Sequence, residues 1–314
     1  MQVRVRTPGT CGELIQGSIG GYTLHVTCPI DLYSEITVRL GPAQGGVLAP
    51  PGYHKAIRAF KATVNYLGEP PVGGEIFIHQ ALPTGKGLAS STADIAGVCI
   101  AVATALGYEL SAHEVAQIAL SIEPTDGLMF PGINIFDHRQ GQVQEWLGEA
   151  LPVGILMLDF GGQIDTVAFN RQPDLLAANL AKEEQVTRAM DLVRSAFAKG
   201  DVALLGQAAT ISAEANQLML PKSMLSRLLE ISQQLGCLGL NVAHSGTVVG
   251  LLYDLRFSSG VELRRQVLEL LPREYPNWLV QLVNGGVQIL SRGERASCRT
   301  SMEGILELPK QSLA

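Results

Sequence analysis

The chain has 314 residues, of which 46% are hydrophobic and 17% charged, and its formal net charge is −6 at pH 7. This composition is typical of a soluble globular protein, and the negative charge excludes a broad electrostatic attraction to nucleic acid or anionic lipid. The length favours two domains over one, because single cores stop growing near this size. Any bound phosphate must therefore be held by local features.

Cysteines and apolar runs narrow the class of protein further. The five cysteines lie far apart without a CxxC pair, so we expect reduced thiols and neither a disulfide framework nor a zinc site: Cys11, Cys28, Cys99, Cys237 and Cys298. The first residues, MQVRVRTPGT, alternate as a strand does and do not resemble a signal peptide. The longest apolar run, residues 95–106, is shorter than the ~20 residues that cross a bilayer. We predict a cytoplasmic protein with neither a nucleic-acid nor a membrane partner.

Elements in the first half are mainly strands, at residues 3–6, 22–27, 35–40 and 75–79, around one helix near residues 54–67. A helix rich in small residues then ends at Gly107. A capping box formed by Ser111 and Glu114 begins another helix, which runs to about residue 122.

The second half mixes both element types. The strand-like segment VGILMLDFGG precedes helical stretches over residues 175–199, through residue 216, and over residues 222–235. Strand-like CLGLNVAHS, VVGLLYD and WLVQLVNGG surround a last helix near residues 261–271. Without the regular alternation of a doubly wound sheet, the pattern predicts an α+β fold. We place the boundary within residues 144–152, which gives domains of residues 1–150 and 151–314.

A glycine-rich loop, PTGKGLASST, stands directly before the small-residue helix. Gly85 and Gly87 let backbone amides approach a ligand, and the helix N-terminus attracts anions. Ser90, Ser91 and Thr92 are placed to cap the helix or to reach a bound anion or its metal. A plain glycine turn with a serine-rich cap is the structural alternative.

Lys86 adds a mobile positive charge to this loop. The spacing differs from that of two common nucleotide-binding motifs. The GxxxxGK[ST] loop needs a glycine where this chain has Gln80 and a hydroxyl where it has Gly87, and GxGxxG needs a glycine where it has Ser90.

Three segments together resemble the GHMP kinases, which include galactokinase and the homoserine, mevalonate and phosphomevalonate kinases. Residues 83–92 match the phosphate-binding motif P-x-x-x-G-L-x-S-S-A, except that Thr92 replaces the final alanine. TPGTCGELIQG, residues 7–17, is similar to the first motif of the family. GLNVAHSGTVVGLL, residues 239–252, stands where the third motif is expected and keeps Ser245 and Gly246, but lacks the usual glycine run.

The resemblance implies a ribosomal-protein-S5-like amino-terminal domain and a ferredoxin-like carboxyl-terminal domain, with ATP and substrate between them. Within the family, the three segments most resemble members that phosphorylate L-threonine in cobalamin assembly. This implies ATP and Mg²⁺ as cofactors and O-phospho-L-threonine, the precursor of the aminopropanol linker, as product. ATP would be bound by Pro83, Gly85, Lys86, Gly87, Leu88, Ala89, Ser90, Ser91 and Thr92, with Lys86 also acting in catalysis.

Two acids, Glu123 and Asp126, follow the third helix in SIEPTDGLM. In a plain turn both would be solvated. By resemblance to mevalonate-kinase-like enzymes, Glu123 would hold Mg²⁺ with Ser90 or Ser91, and Asp126 would accept the proton of the substrate hydroxyl. The spacing differs from that of those enzymes, so an exchange of the two roles stays open.

The acceptor substrate has its own candidate residues. Thr10 and Glu13 are candidates for contact with the hydroxyl and ammonium groups of the amino acid, the alternative being a turn with Glu13 exposed. Asp31 is a further candidate for the same pocket, and Ser245 and Gly246 are candidates from the third segment.

Two other fragments are interpreted as structural. DFGG at Asp159 lacks the VAIK and HRD elements of protein kinases, so it is read as a strand end and a turn. His244 and Ser245 would point to opposite faces of a strand. The open alternatives are a homoserine kinase, another small-alcohol kinase of the family, and a nucleotide-binding regulator without turnover. A homodimer is compatible with the sequence, which leaves the oligomeric state open.

Overall fold

Two long antiparallel strands form the centre of this computed structural model, which describes residues 1–80, 82–83, 85–161 and 179–293. Strand β1 (Gln2–Ile19) and strand β2 (Tyr22–Gly41) pair along almost their whole length. Gly20 and Gly21 join them at φ values of 58° and 86°, a left-handed turn that glycine adopts at little cost.

All described strands belong to one sheet of eleven, in the order β10-β7-β9-β8-β1-β2-β4-β3, with β11 paired to β1 and the β5-β6 hairpin paired to β2. The remaining strands are β3 (Val47–Leu48), β4 (Gly73–Gln80), β5 (Ile133–Asp137), β6 (Gln144–Gly148), β7 (Val153–Asp159), β8 (Gly239–Val242), β9 (Val248–Asp254), β10 (Asn277–Gln281) and β11 (Gln288–Arg292). The two halves of the chain therefore meet along β1 and β8, where Glu13 pairs with Val242.

Seven α-helices cover this sheet within the described residues. They are α1 (His54–Tyr66), α2 (Ser90–Leu106), α3 (Ala112–Leu120), α4 (Glu183–Lys199), α5 (Val202–Ala215), α6 (Leu225–Gln234) and α7 (Gly260–Leu270). Helices α1 to α3 enclose one core with β1, β2 and β4, and α6 and α7 enclose another with β7 to β9. Helices α4 and α5 pack over the junction.

Small side chains let α2 lie close to the central strands, as the sequence predicts. A Cβ added at Gly97 would lie 2.8 Å from Cγ1 of Ile36 in β2, a distance that side chains do not tolerate. This packing holds α2 against both central strands, β1 and β2, which give the helix a rigid support.

The helices at residues 54–66 and 90–106 and the capping box at Ser111 agree with the predictions. Four strands, β3, β5, β6 and β11, were not predicted, and residues 175–178 of the expected long helix lie outside the described residues. Strand β11 pairs with β1, so the end of the described chain returns to the amino-terminal half.

The division into two domains at residues 150 and 151 stays a prediction. Among the described helices, none combines the length and apolarity needed to cross a membrane.

Candidate active site

The loop before α2 ends in a strained backbone and an uncapped helix. Ala89, the residue before α2, has φ 51° and ψ 30°, and it is the one non-glycine residue with positive φ in the described chain. No side chain caps this helix, so Ser90, Ser91 and Thr92 do not act as its N-cap. Amide groups at this end are left for a ligand, and strain of this kind is characteristic of binding loops.

Two neighbouring segments hold the loop in place. The backbone amide of Thr10 in β1 donates to the carbonyl of Leu88 at 3.1 Å, and that of Thr247 donates to the carbonyl of Lys86 at 3.0 Å. A Cβ at Gly87 would lie 2.4 Å from that of Ala243 and 2.9 Å from Cα of Gly246. The first and third segments therefore clamp the glycine loop between them, which explains why Gly87 and Gly246 are glycines.

Lys86 is not the mobile charge that we expected. Its Nζ lies 2.8 Å from Oδ2 of Asp159, at the end of β7, and that carboxylate also accepts from the Thr247 hydroxyl at 2.6 Å. Burial raises the pKa of Asp159, but Lys86 and Thr247 lower it further, to below its usual value. Asp159 is a strand end, as predicted, and it also fixes the loop lysine.

A cavity of about 350 Å³ opens beside the N-terminus of α2. It is lined by Glu13, His25, Lys55, Gly85, Gly87, Leu88, Ala89, Ser90, Ser91, Thr92, Glu123, Pro124, Asp126, His138, His244 and Ser245. The glycine loop and helix terminus form one end of this lining, and buried side chains from β1, β2 and the segment after β5 form the other.

Glu123 stands at the loop end of the cavity. Its Oε1 accepts a hydrogen bond from the Ser91 hydroxyl, and its Oε2 lies 2.5 Å from Nζ of Lys55 in α1. A hydroxyl and a carboxylate side by side are oxygen ligands of the kind that Mg²⁺ prefers. Ser91 and Glu123 therefore fit a magnesium site, with Lys55 as a neighbouring cation that the sequence analysis missed.

Asp126 lies beside the histidines that line the cavity. Thr92 Oγ1 accepts from the backbone amide of Asp126 at 3.4 Å, so Thr92 positions the acidic turn. The Asp126 Oδ1 atom lies 3.4 Å from Nδ1 of His25. Burial is the largest effect on the pKa of Asp126 and raises it, although His138 and Thr92 partly oppose this shift. A carboxylate with a raised pKa is a stronger base, which suits a group that accepts a hydroxyl proton.

Three histidines line the inner end of the cavity. His25 and His138 stack at 3.9 Å between ring centroids with their planes 9° apart, and His244 lies 4.6 Å from His25. Glu13 lies beside them, only 5% exposed, and its Oε1 is 4.0 Å from Nδ1 of His25. Burial, and then the charge of Asp126, raises the pKa of Glu13 well above its usual range.

Most of the expected site residues line this cavity, and five do not: Pro83, Lys86, Thr10, Gly246 and Asp31. Thr10 and Gly246 hold the loop instead. The Asp31 carboxylate accepts from the backbone amide of Gln281 in β10 at 3.0 Å, which corrects its placement in the pocket. His244 was interpreted as structural because strand neighbours point apart, but β8 ends at Val242 and both His244 and Ser245 reach the lining.

Comparison with known proteins identifies the family. Residues 54–130 match the GHMP kinases N terminal domain, and residues 193–270 match the GHMP kinases C terminal domain. An L-threonine kinase of Salmonella typhimurium is 34% identical over 90% of this chain and 94% of its own length. An L-threonine kinase of Citrobacter freundii is 32% identical over 90% of this chain and 98% of its own length. A homoserine kinase structure from Cytophaga hutchinsonii superposes with a TM-score of 0.70 at 15% identity, over 92% of this chain and 97% of its own. The α+β fold expected from the sequence is thus confirmed, and the chain belongs to the GHMP kinase family of phosphotransferases.

Proposed function

We propose that this protein transfers the γ-phosphate of ATP to the side-chain hydroxyl of L-threonine, giving O-phospho-L-threonine and ADP. The observation that carries the proposal is the single cavity in which an uncapped helix N-terminus, Glu123 and Asp126 meet. Relatives that cover nearly the whole chain are named L-threonine kinases, which supports this acceptor. The product would serve the aminopropanol linker of cobalamin.

The nucleotide's phosphates belong at the glycine loop in this proposal. Backbone amides of residues 85–91 and the positive end of the α2 dipole would bind them, without need of a positively charged surface. Lys86, fixed by Asp159, would add its charge from the far side of the loop. Ser91 and Glu123 would hold Mg²⁺, which when bound neutralises charge that develops on the transferred phosphoryl group.

Asp126 would act as general base. In the proposed reaction the threonine hydroxyl oxygen attacks the γ-phosphorus, the bond to the leaving ADP oxygen breaks, and the hydroxyl proton passes to Asp126. Its neighbour His25 is neutral, because burial first, and then Lys182 and Arg139, lower the pKa of that ring to about 3. A neutral His25 can donate its Nδ1 proton to Asp126 and so orient the carboxylate towards the cavity.

An acceptor panel tests the proposal directly. ADP release is measured with L-threonine, L-serine, L-homoserine and mevalonate, and the product is identified by ³¹P NMR. We expect the highest kcat/KM with L-threonine. A preference for L-homoserine would make the protein a homoserine kinase, and ATP binding without ADP release on any acceptor would indicate a regulator. Neither outcome agrees with the proposal.

A further inference from the structure

The inner end of the cavity presents buried polar atoms that have no partner. Glu13 Oε2, His25 Nε2 and His138 Nε2 form no hydrogen bond with any described residue. Their side chains are 5%, 1% and 4% exposed and all line the cavity. Burying such atoms without a partner is costly, so their arrangement indicates that a ligand satisfies them.

The hydrogen bonds around two of these rings, His244 and His25, show which ring nitrogen is an acceptor. Gln16 donates its Nε2 to the carbonyl of Val242 at 3.0 Å, so its Oε1 faces Nδ1 of His244, also at 3.0 Å. Because Oε1 can only accept, His244 carries its proton on Nδ1, and its Nε2 is an acceptor. His25 faces carboxylate oxygens of Asp126 and Glu13 with Nδ1, and the same reasoning makes its Nε2 an acceptor.

A ligand rich in donors therefore matches this end of the cavity. One ligand atom from each of His25, His138 and His244 lies within 4.8 Å of the others, and the same is true of Glu13, His25 and Asp126. A metal ion would need imidazole lone pairs that converge at about 2.0–2.1 Å. The rings of His25 and His138 are stacked 9° from parallel, so their in-plane lone pairs run side by side. An ammonium group, with three donors at about 2.9 Å from their acceptors, accommodates this spread.

We propose that the imidazoles of His25, His138 and His244, together with Glu13, form the subsite that binds the α-ammonium group of the amino-acid substrate. The proposal rests on the proposed function and adds the residues by which an amino acid is distinguished from a simple hydroxy acid. An ammonium group beside Glu13 would oppose the rise in the pKa of that carboxyl and so favour its charged form, while the neutral rings supply directional acceptors around it.

The test compares L-threonine with (R)-3-hydroxybutyrate, which keeps the hydroxyl and carboxylate but lacks the ammonium group. Wild type is compared with His138→Leu, which removes the unpartnered Nε2 atom, and with His138→Gln, whose side-chain oxygen supplies an acceptor there. We expect His138→Leu to raise the KM for L-threonine about tenfold or more, the effect of one hydrogen bond to a charged group, while the KM for ATP stays the same. The preference for L-threonine over the hydroxy acid should fall by the same factor and be largely restored by Gln.

Matched controls separate this role from a structural one. His79, exposed on β4, serves as the control in His79→Leu, which should change neither KM. Thermal unfolding checks each variant, and if His138→Leu does not fold, His138→Asn replaces it, since that side chain is too short to reach the Nε2 position. A wild-type preference that survives in the Leu or Asn variant would overturn the inference and leave the proposed function intact.

Other outcomes are equally decisive. Calorimetry with Zn²⁺ alone that shows tight stoichiometric binding, lost in His138→Leu, would establish a metal site and overturn the ammonium subsite. Wild-type turnover of mevalonate and of no amino acid would overturn both proposals. If L-homoserine is the acceptor, the proposed function is wrong. The ammonium subsite is then tested by the preference for L-homoserine over 4-hydroxybutyrate, compared between wild type and the His138 variants.

Discussion

The two ends of the active-site cavity are built in different ways. The phosphate end comes from one continuous segment, residues 85–92, and relies on backbone amides and a helix terminus. The acceptor end gathers Glu13, His25, His138 and His244 from four separate parts of the sheet and relies on buried side chains. Binding by backbone amides depends little on the identity of side chains, whereas binding by buried side chains changes when any one of them is replaced.

The largest expected effect lies where the two ends meet, at Asp126. We expect Asp126→Asn to lower kcat by about 10²–10⁴-fold, the usual contribution of a general base, because the amide cannot take the hydroxyl proton. The KM for ATP should change little, since the loop is untouched. Steady-state kinetics with ATP and L-threonine check this. Asp191→Asn, a side chain 71% exposed on α4, is the control. Near-normal turnover of Asp126→Asn would remove the base assignment.

A glycine substitution tests the phosphate end. In Gly87→Ala the new Cβ would meet Ala243 at 2.4 Å, so we expect the loop to shift and the KM for ATP to rise about tenfold or more, because misplaced binding groups lose that much. Gly52→Ala is a matched control, for Gly52 has a similar φ of 91° but nothing within 4 Å of the new Cβ. Both variants strain the backbone, but only Gly87→Ala adds a clash and lies in the glycine loop. Equal effects on ATP binding would show that the clamp on the loop is unimportant.

Acidification tests the acceptor end. The pKa of His25 falls from 6.5 to about 3 on folding, so its contribution to stability is complete above pH 6.5 and is lost as the pH falls towards 3. In this range unfolding takes up a proton at His25. The contribution of His25 to the free energy of unfolding should therefore fall by up to ~1.4 kcal/mol for each pH unit. Urea unfolding of wild type and His25→Leu at pH 7, 6 and 5 measures this slope by difference.

The comparison with His25→Leu is needed because protonation of other groups changes the free energy of unfolding in the opposite direction. The raised pKa values of Glu13 and Asp126 make the folded state bind protons more tightly, which favours folding as the pH falls. His79→Leu should keep the wild-type slope, as that ring is exposed on β4. If His25→Leu shows the same slope as wild type, the His25 ring is not buried in its neutral form.

The smallest effect is expected at Asp31, outside both ends of the cavity. Asp31→Ala removes one exposed hydrogen bond to Gln281, which is worth about 1 kcal/mol or less. We expect the KM for L-threonine to stay within about twofold of wild type, against a rise of about tenfold for Glu13→Gln, which weakens a buried charge contact. Acceptor titrations compare the two variants. A comparable rise in Asp31→Ala would return that residue to the substrate pocket.

The difference between the two ends also explains what the sequence could predict. The loop, the start of the helix and the acidic turn depend on local chain geometry, so residues 85–92, Glu123 and Asp126 could be found from pattern and family resemblance, although the absence of a side-chain cap could not. His25 and His138 lie in stretches that read as ordinary strand ends. They become a site only when β2 and β5 pair, and pairing between strands over 100 residues apart leaves no signal at either residue.

The prediction made for His244 from strand periodicity was wrong for a related reason. His244 was placed on an extended β8, but the strand ends at Val242, and Gly246 then packs on the loop from the first half. Lys86 was expected to be a mobile charge of the loop, but its partner Asp159 comes from β7 in the other half of the chain. In both cases a tertiary contact overrode a reasonable local interpretation.

The place of β1 in the sheet has a consequence for biosynthesis. This strand is synthesised before the other described strands, yet its pairing partners include Val242 in β8 and Arg292 in β11, near the end of the described chain. At ordinary elongation rates the interval between Val3 and Arg292 is on the order of 15–60 s. For that time a nascent chain exposes an unfinished strand edge to other chains, so the yield of correctly folded enzyme should depend on chaperones that shield its amino-terminal half during translation.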